Sequence, residues 1–88
     1  FGIPQAFSPN GDDVNDVFQV YGVGLYEFEL LIFNRWGQVI YKTNNQNEGW
    51  DGTMNGKPCQ IDVYVYKIIY RGLGLAQKQK VGQVALIR

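Results

Sequence analysis

Between Phe28 and Phe33 the chain alternates with a period of two. Phe28, Leu30 and Ile32 fall on one side and Glu29, Leu31 and Phe33 on the other. That pattern predicts a strand with one buried face and a second face partly covered. Asn34-Arg35-Trp36-Gly37 supplies a turn, and Val39-Ile40-Tyr41 resumes β-branched and aromatic character. Thr43 to Glu48 is a polar run that reads as an exposed loop, and Gly49-Trp50-Asp51-Gly52 closes this central region. Trp36 and Trp50 are both expected to pack in the core, as bulky indoles usually do in a small domain.

The same periodicity recurs along the rest of the chain. Tyr64, Tyr66, Ile68 and Tyr70 share one face of a long strand from Asp62 to Arg71, and Val63, Val65, Lys67, Ile69 and Arg71 share the other. Phe1 to Phe7 reads as an edge strand or lead-in, because Pro4 offers no N–H to a ladder. Val17 to Tyr21 reads as a short strand ended by Gly22 and Gly24. Asn55-Gly56 suits a tight turn with positive φ. After the turn Gly72 to Leu75, segments Ala76 to Lys80 and Gln83 to Arg88 complete the pattern. Some seven short strands with no helical period predict an all-β fold, an immunoglobulin-like antiparallel β-sandwich.

Eighty-eight residues suit one domain with a dense core, and 45% hydrophobic with 15% aromatic residues supply it. Cys59 is the only cysteine, so no disulfide forms within the chain; it reads as an apolar filler or loop residue. No apolar run approaches the ~20 residues that cross a bilayer as a helix, and no signal peptide opens the chain. The start at Phe1 rather than Met suggests a fragment of a larger protein.

Eight basic and eight acidic residues balance, which argues against nucleic acid as a partner. The balance is uneven along the chain. Phe1 to Gly56 holds seven acids and two bases, whereas Lys57 to Arg88 holds six bases and Asp62 alone. Either the two halves interleave on folding, or the C-terminal half forms a basic surface that steers an acidic partner.

With no histidine, one serine and one cysteine, a nucleophile and imidazole base cannot be assembled. No catalytic residues and no small-molecule substrate are expected. Ser8, Asn10, Asp12 and Asp16 form a candidate calcium loop, since hard cations take alternating oxygen donors from a Gly-turned loop. The alternative is a set of Asx-turns in which these side chains bond their own backbone. Two tryptophans and six tyrosines leave a third possibility, an aromatic platform for carbohydrate or surface polymer, against the plainer reading of alternate tyrosines as half-buried packing.

Six blocks in order resemble a known family: Ile3-Pro4-Gln5-Ala6-Phe7-Ser8-Pro9-Asn10-Gly11-Asp12, Asn15-Asp16-Val17-Phe18, Ile32-Phe33-Asn34-Arg35-Trp36-Gly37-Gln38, Gly49-Trp50-Asp51-Gly52, Val63-Tyr64-Val65-Tyr66 and Val84-Ala85-Leu86-Ile87-Arg88. The chain is similar to the gliding-motility-associated C-terminal domain, the type B sorting domain of the Bacteroidetes type IX secretion system. The resemblance implies an immunoglobulin-like sandwich at the C-terminus of a larger secreted or surface protein. It implies a non-catalytic address that carries upstream cargo through the periplasm and across the outer membrane to the cell surface or medium. The implied partners are the outer-membrane translocon and its PorP/SprF-type membrane protein, and the domain alone is expected to be monomeric with no required cofactor. Two positions depart from the family pattern: Asp13 stands where Gly is usual, and Asp62 where a small residue is usual. Lys78, Lys80, Leu86, Ile87 and Arg88 are the expected docking residues, on an open final strand with a basic end; the alternative is that Leu86 and Ile87 complete the core and the bases are solvated.

Overall fold

The two long alternating stretches become the centre of a five-stranded sheet in the computed structural model, which describes residues 2–11, 16–22, 25–72 and 74–87. The described strands are β1 (Ala6–Phe7), β2 (Leu25–Phe33), β3 (Val39–Thr43), β4 (Thr53–Met54), β5 (Lys57–Pro58), β6 (Asp62–Gly72) and β7 (Lys78–Leu86). The main sheet has the order β1-β7-β6-β2-β3, and β4 with β5 forms a separate ribbon. Every pairing is antiparallel except that of β1 with β7, which is parallel.

Register follows the hydrophobic pattern. Ile32 lies opposite Tyr66 and Leu30 opposite Ile68, while Tyr64 lies opposite Val84. These side chains therefore share one face, and a slip by one residue would turn all of them toward solvent. The face is closed by residues from the connecting segments. Phe18 pairs with Trp50, and Gly2 with Tyr21, as isolated bridges. The strand expected over Val17 to Tyr21 is thus reduced to single bridge pairs, and β1 is confined to Ala6–Phe7 because the chain leaves the main sheet at Pro4 to meet Tyr21. The result is all-β and consistent with the expected β-sandwich.

Trp50 is the centre of the core. It is wholly buried, its ring lies 5.3 Å from Phe7 and 4.9 Å from Tyr64 by centroid, and its Nε1 donates to the Thr53 carbonyl at 2.9 Å. The glycines flanking it have separate reasons. A Cβ on Gly49 would stand 2.7 Å from the Phe18 carbonyl oxygen, so only glycine allows this bridge, and Gly52 takes φ +83°, which β-carbons disfavour. Asn55 and Gly56 both have positive φ, 54° and 79°, as expected of the two-residue turn between β4 and β5.

Two expectations are corrected. Trp36 is not core: it is 73% exposed, because it sits inside the β2–β3 turn rather than on the inward-facing alternation of a strand. Lys78 to Leu86 is one continuous strand rather than two, since Gly82 lies opposite Tyr66, whose ring occupies the space a side chain at 82 would fill.

Candidate docking surface

β7 has two halves of different character. At its C-terminal end Ala85 and Leu86 lie between β6 and β1, and the N–H groups of Ala85 and Ile87 donate to the carbonyls of Gln5 and Phe7 at 2.9 and 3.0 Å. Leu86 is wholly buried. It fills the core, as the alternative reading of this residue has it, and the edge expected to be open at the final residues is occupied by β1. Ile87 is 47% exposed, and Arg88 lies outside the described residues. From Lys78 to Gln83 the strand pairs, among the described residues, only with β6, and Lys78, Gln79, Lys80, Val81 and Gln83 are exposed.

The charges partly interleave. Arg71 binds Glu27 at 2.7 Å and Arg35 binds Asp62 at 2.9 Å, each joining the acidic half to the basic half, and Lys42 lies 3.6 Å from Glu29 within the acidic half. Among the described residues neither Lys78 nor Lys80 has an ion-pair partner, so the basic excess of the C-terminal half surfaces at the start of β7. The interleaving reading therefore holds for Arg35 and Arg71, while Lys78 and Lys80 are exposed on β7.

Asp62, the first residue of β6, is well integrated. It accepts from Arg35 Nε at 2.9 Å, from the Val63 N–H at 2.8 Å and from Gln60 Nε2 at 3.2 Å. The Arg35 hydrogen bond, followed by the Val63 N–H, lowers its pKa from 3.8 to about 2. The partner, Arg35, belongs to the β2–β3 turn. That turn is closed by Asn34, whose Oδ1 accepts from the N–H groups of Trp36 and Gln38 at 3.0 Å each, while its Nδ2 donates to Gln38 at 2.8 Å. Trp36 is consequently held in the open with the Arg35 guanidinium 5.6 Å from its ring. Beside it lies a shallow cavity of about 150 Å³ lined by Ile40, Met54, Cys59 and Tyr64. Sequence reasoning missed this surface, although the placement of Trp36 between two turn formers was the available signal.

In the loop proposed for a cation, Asp16 Oδ1 accepts from the N–H groups of Asn10 and Gly11 at 3.2 Å each. Asp12 lies outside the described residues, and Ser8 and Asn10 are within them. Among the described residues no three His, Cys, Asp or Glu side chains gather as a metal site. Cys59 is half-buried against the core, the filler role expected of it.

Among the described residues the exposed aromatics do not gather either. Trp36 follows the C-terminal end of β2 and Tyr26 lies near its N-terminal end, separated by most of a nine-residue strand, roughly 25–30 Å at strand rise. Tyr26 instead stacks under Arg71, 5.0 Å from its ring, and Tyr21 is bridged to Gly2 in the other layer.

Fold and surface together describe a small β-sandwich module that offers a partner strand edges and side-chain patches. The family model for the CHU_C type IX secretion signal domain matches residues 1–86, and the chain belongs to this family. No curated protein matches it. Domains of this family are in general non-catalytic, and membership carries a C-terminal sorting role, interaction with the secretion machinery, and export to the cell surface or extracellular space.

Proposed function

We propose that this domain is the address by which a larger protein is delivered through the type IX secretion system, and that it is read while folded. The observation that carries this reading is the family match across residues 1–86. The cargo upstream supplies whatever activity the whole protein has; the domain supplies recognition. Its route runs through the periplasm, where a core without disulfides needs no oxidative help to form. The outer-membrane translocon and a PorP/SprF-type membrane protein are the partners, and the exposed basic residues Lys78 and Lys80, with Ile87 and Arg88 at the end of the chain, form part of the surface they meet. Basic side chains there speed encounter with an acidic partner.

The test is to append the 88 residues to an inert reporter in a host that carries the secretion machinery. Surface or extracellular reporter is the expected result, with none from the reporter alone. A fusion that folds but stays in the periplasm would refute the reading.

A further inference from the structure

An interior strand satisfies hydrogen-bonding groups on both of its edges, whereas a strand at the rim leaves alternate N–H and C=O groups unpaired. In β7 the odd-numbered residues Ala85 and Ile87 point their N–H groups toward β1. By the alternation of the strand, Gln79, Val81 and Gln83 point theirs the same way, beyond the reach of β1, which ends its pairing at Ala6. Among the described residues nothing pairs with this edge. Pro4 explains why the fold leaves it open: the chain turns away there, and Gly2 pairs with Tyr21 instead.

We propose that the free edge of β7 from Lys78 to Gln83 accepts an added β-strand from a partner protein, and that this strand alternates acidic residues with small or β-branched ones. The backbone groups of Gln79, Val81 and Gln83 dictate an extended occupant, because only a strand presents donors and acceptors at the matching repeat. The side chains dictate its chemistry. Lys78 and Lys80 lie on one face of β7, opposite Tyr70 and Ile68, so neighbours of the added strand on that face are favoured as Asp or Glu. Val81, 61% exposed, lies on the other face between Gln79 and Gln83, where valine or threonine fits. A second copy of this chain is the wrong occupant, since pairing edge to edge would bring the lysines of both copies together.

The inference deepens the sorting reading, because it names the contact by which the address would be read, but the edge can be tested without secretion. The probe is the blocked peptide Thr-Glu-Val-Glu-Val-Glu-Thr, with a control of the same sequence N-methylated at alternate residues along its pairing edge. Added to the 88-residue chain, the peptide is expected to slow amide hydrogen exchange at Gln79, Val81 and Gln83, an effect weakened by salt and absent with the control. Val81→Pro removes the central outward N–H and is expected to weaken binding by about tenfold or more. Lys78→Glu with Lys80→Glu, at exposed positions, is expected to abolish binding of this peptide with the melting temperature retained, and serves if the proline variant fails to fold.

In the reporter assay, export of the wild-type fusion with loss of export from the folded double-Glu variant supports the proposal. Exchange unchanged at the three amides, protection confined to other strands, or dimerisation of the chain through this edge would overturn it. An exported wild-type fusion beside an equally exported double-Glu variant defeats the edge inference and leaves the sorting reading standing; an unexported wild-type fusion defeats the sorting reading, while the exchange result still decides the edge.

Discussion

Trp50 and Trp36 are the same residue type in neighbouring motifs, and their environments are opposite. Trp50 is enclosed by Phe7, Tyr64 and the Thr53 carbonyl, so truncation leaves a large void and an orphaned acceptor. Trp50→Ala is expected to cost about 3–5 kcal/mol, enough to unfold most molecules of so small a domain, as urea denaturation will read. Trp36→Ala removes an exposed ring and one cation–π contact, with an expected cost under about 1 kcal/mol in the same experiment. A residue kept in water at so little cost to stability is free to serve recognition. Asp16 makes a different case. Its carboxylate closes the loop by accepting two N–H groups, so Asp16→Asn, which keeps an acceptor, is expected to be milder than Asp16→Ala, at about 0.5–2 kcal/mol for the latter. On the turn-closing reading the melting temperature is the same in chelator and in millimolar calcium; a rise with calcium would assign the loop to the cation instead.

Strands and turns are coupled by the Arg35 and Asp62 pair, which ties the β2–β3 turn to the first residue of β6. The folded state holds the Asp62 carboxyl at about 2, below its ordinary 3.8. The unfolded chain therefore takes up the proton first as pH falls. The stabilisation is fully present above about pH 4 and is lost as pH drops through 2. Asp62→Asn should remove this component, so that the wild-type melting temperature converges toward that of the variant between about pH 4 and 2. Salt will shrink the difference, since the Arg35 side chain is largely exposed. The pair also accounts for how a charge is tolerated at the start of β6: the arginine of the β2–β3 turn receives it.

Taken whole, the molecule is elongated, 40 × 29 × 21 Å with a Cα radius of gyration of 12.9 Å, and its last strand is both structural and exposed. Val84 and Leu86 are core residues, and the final paired segment holds β1 in place. Deleting residues 83–88 is therefore expected to abolish the cooperative thermal transition seen by circular dichroism. Loss of export from that truncation would report unfolding rather than docking. Exposed substitutions at Lys78 and Lys80 separate the two effects, because they alter the edge without entering the core.

Periodicity alone specified much of this architecture. The alternation at Asp62 to Arg71 placed β6 to within one residue, and that at Phe28 to Phe33 placed the C-terminal end of β2, which begins three residues earlier at Leu25, because a period of two that buries one face admits a single register. The Asn55-Gly56 turn was equally legible, since few residue pairs accept positive φ. What local pattern could not decide was which neighbour arrives from far along the chain. Ala76 to Lys80 and Gln83 to Arg88 read as two segments until Tyr66, sixteen residues before Gly82, covers that glycine and the strand runs through; Trp36 reads as core until the turn that holds it faces solvent; and the final strand reads as open until β1 comes from the opposite end of the chain to pair with it. Composition and alternation are properties of neighbouring residues and determine the strands, whereas exposure and edge pairing are set by contacts between distant segments, which only the folded chain brings together.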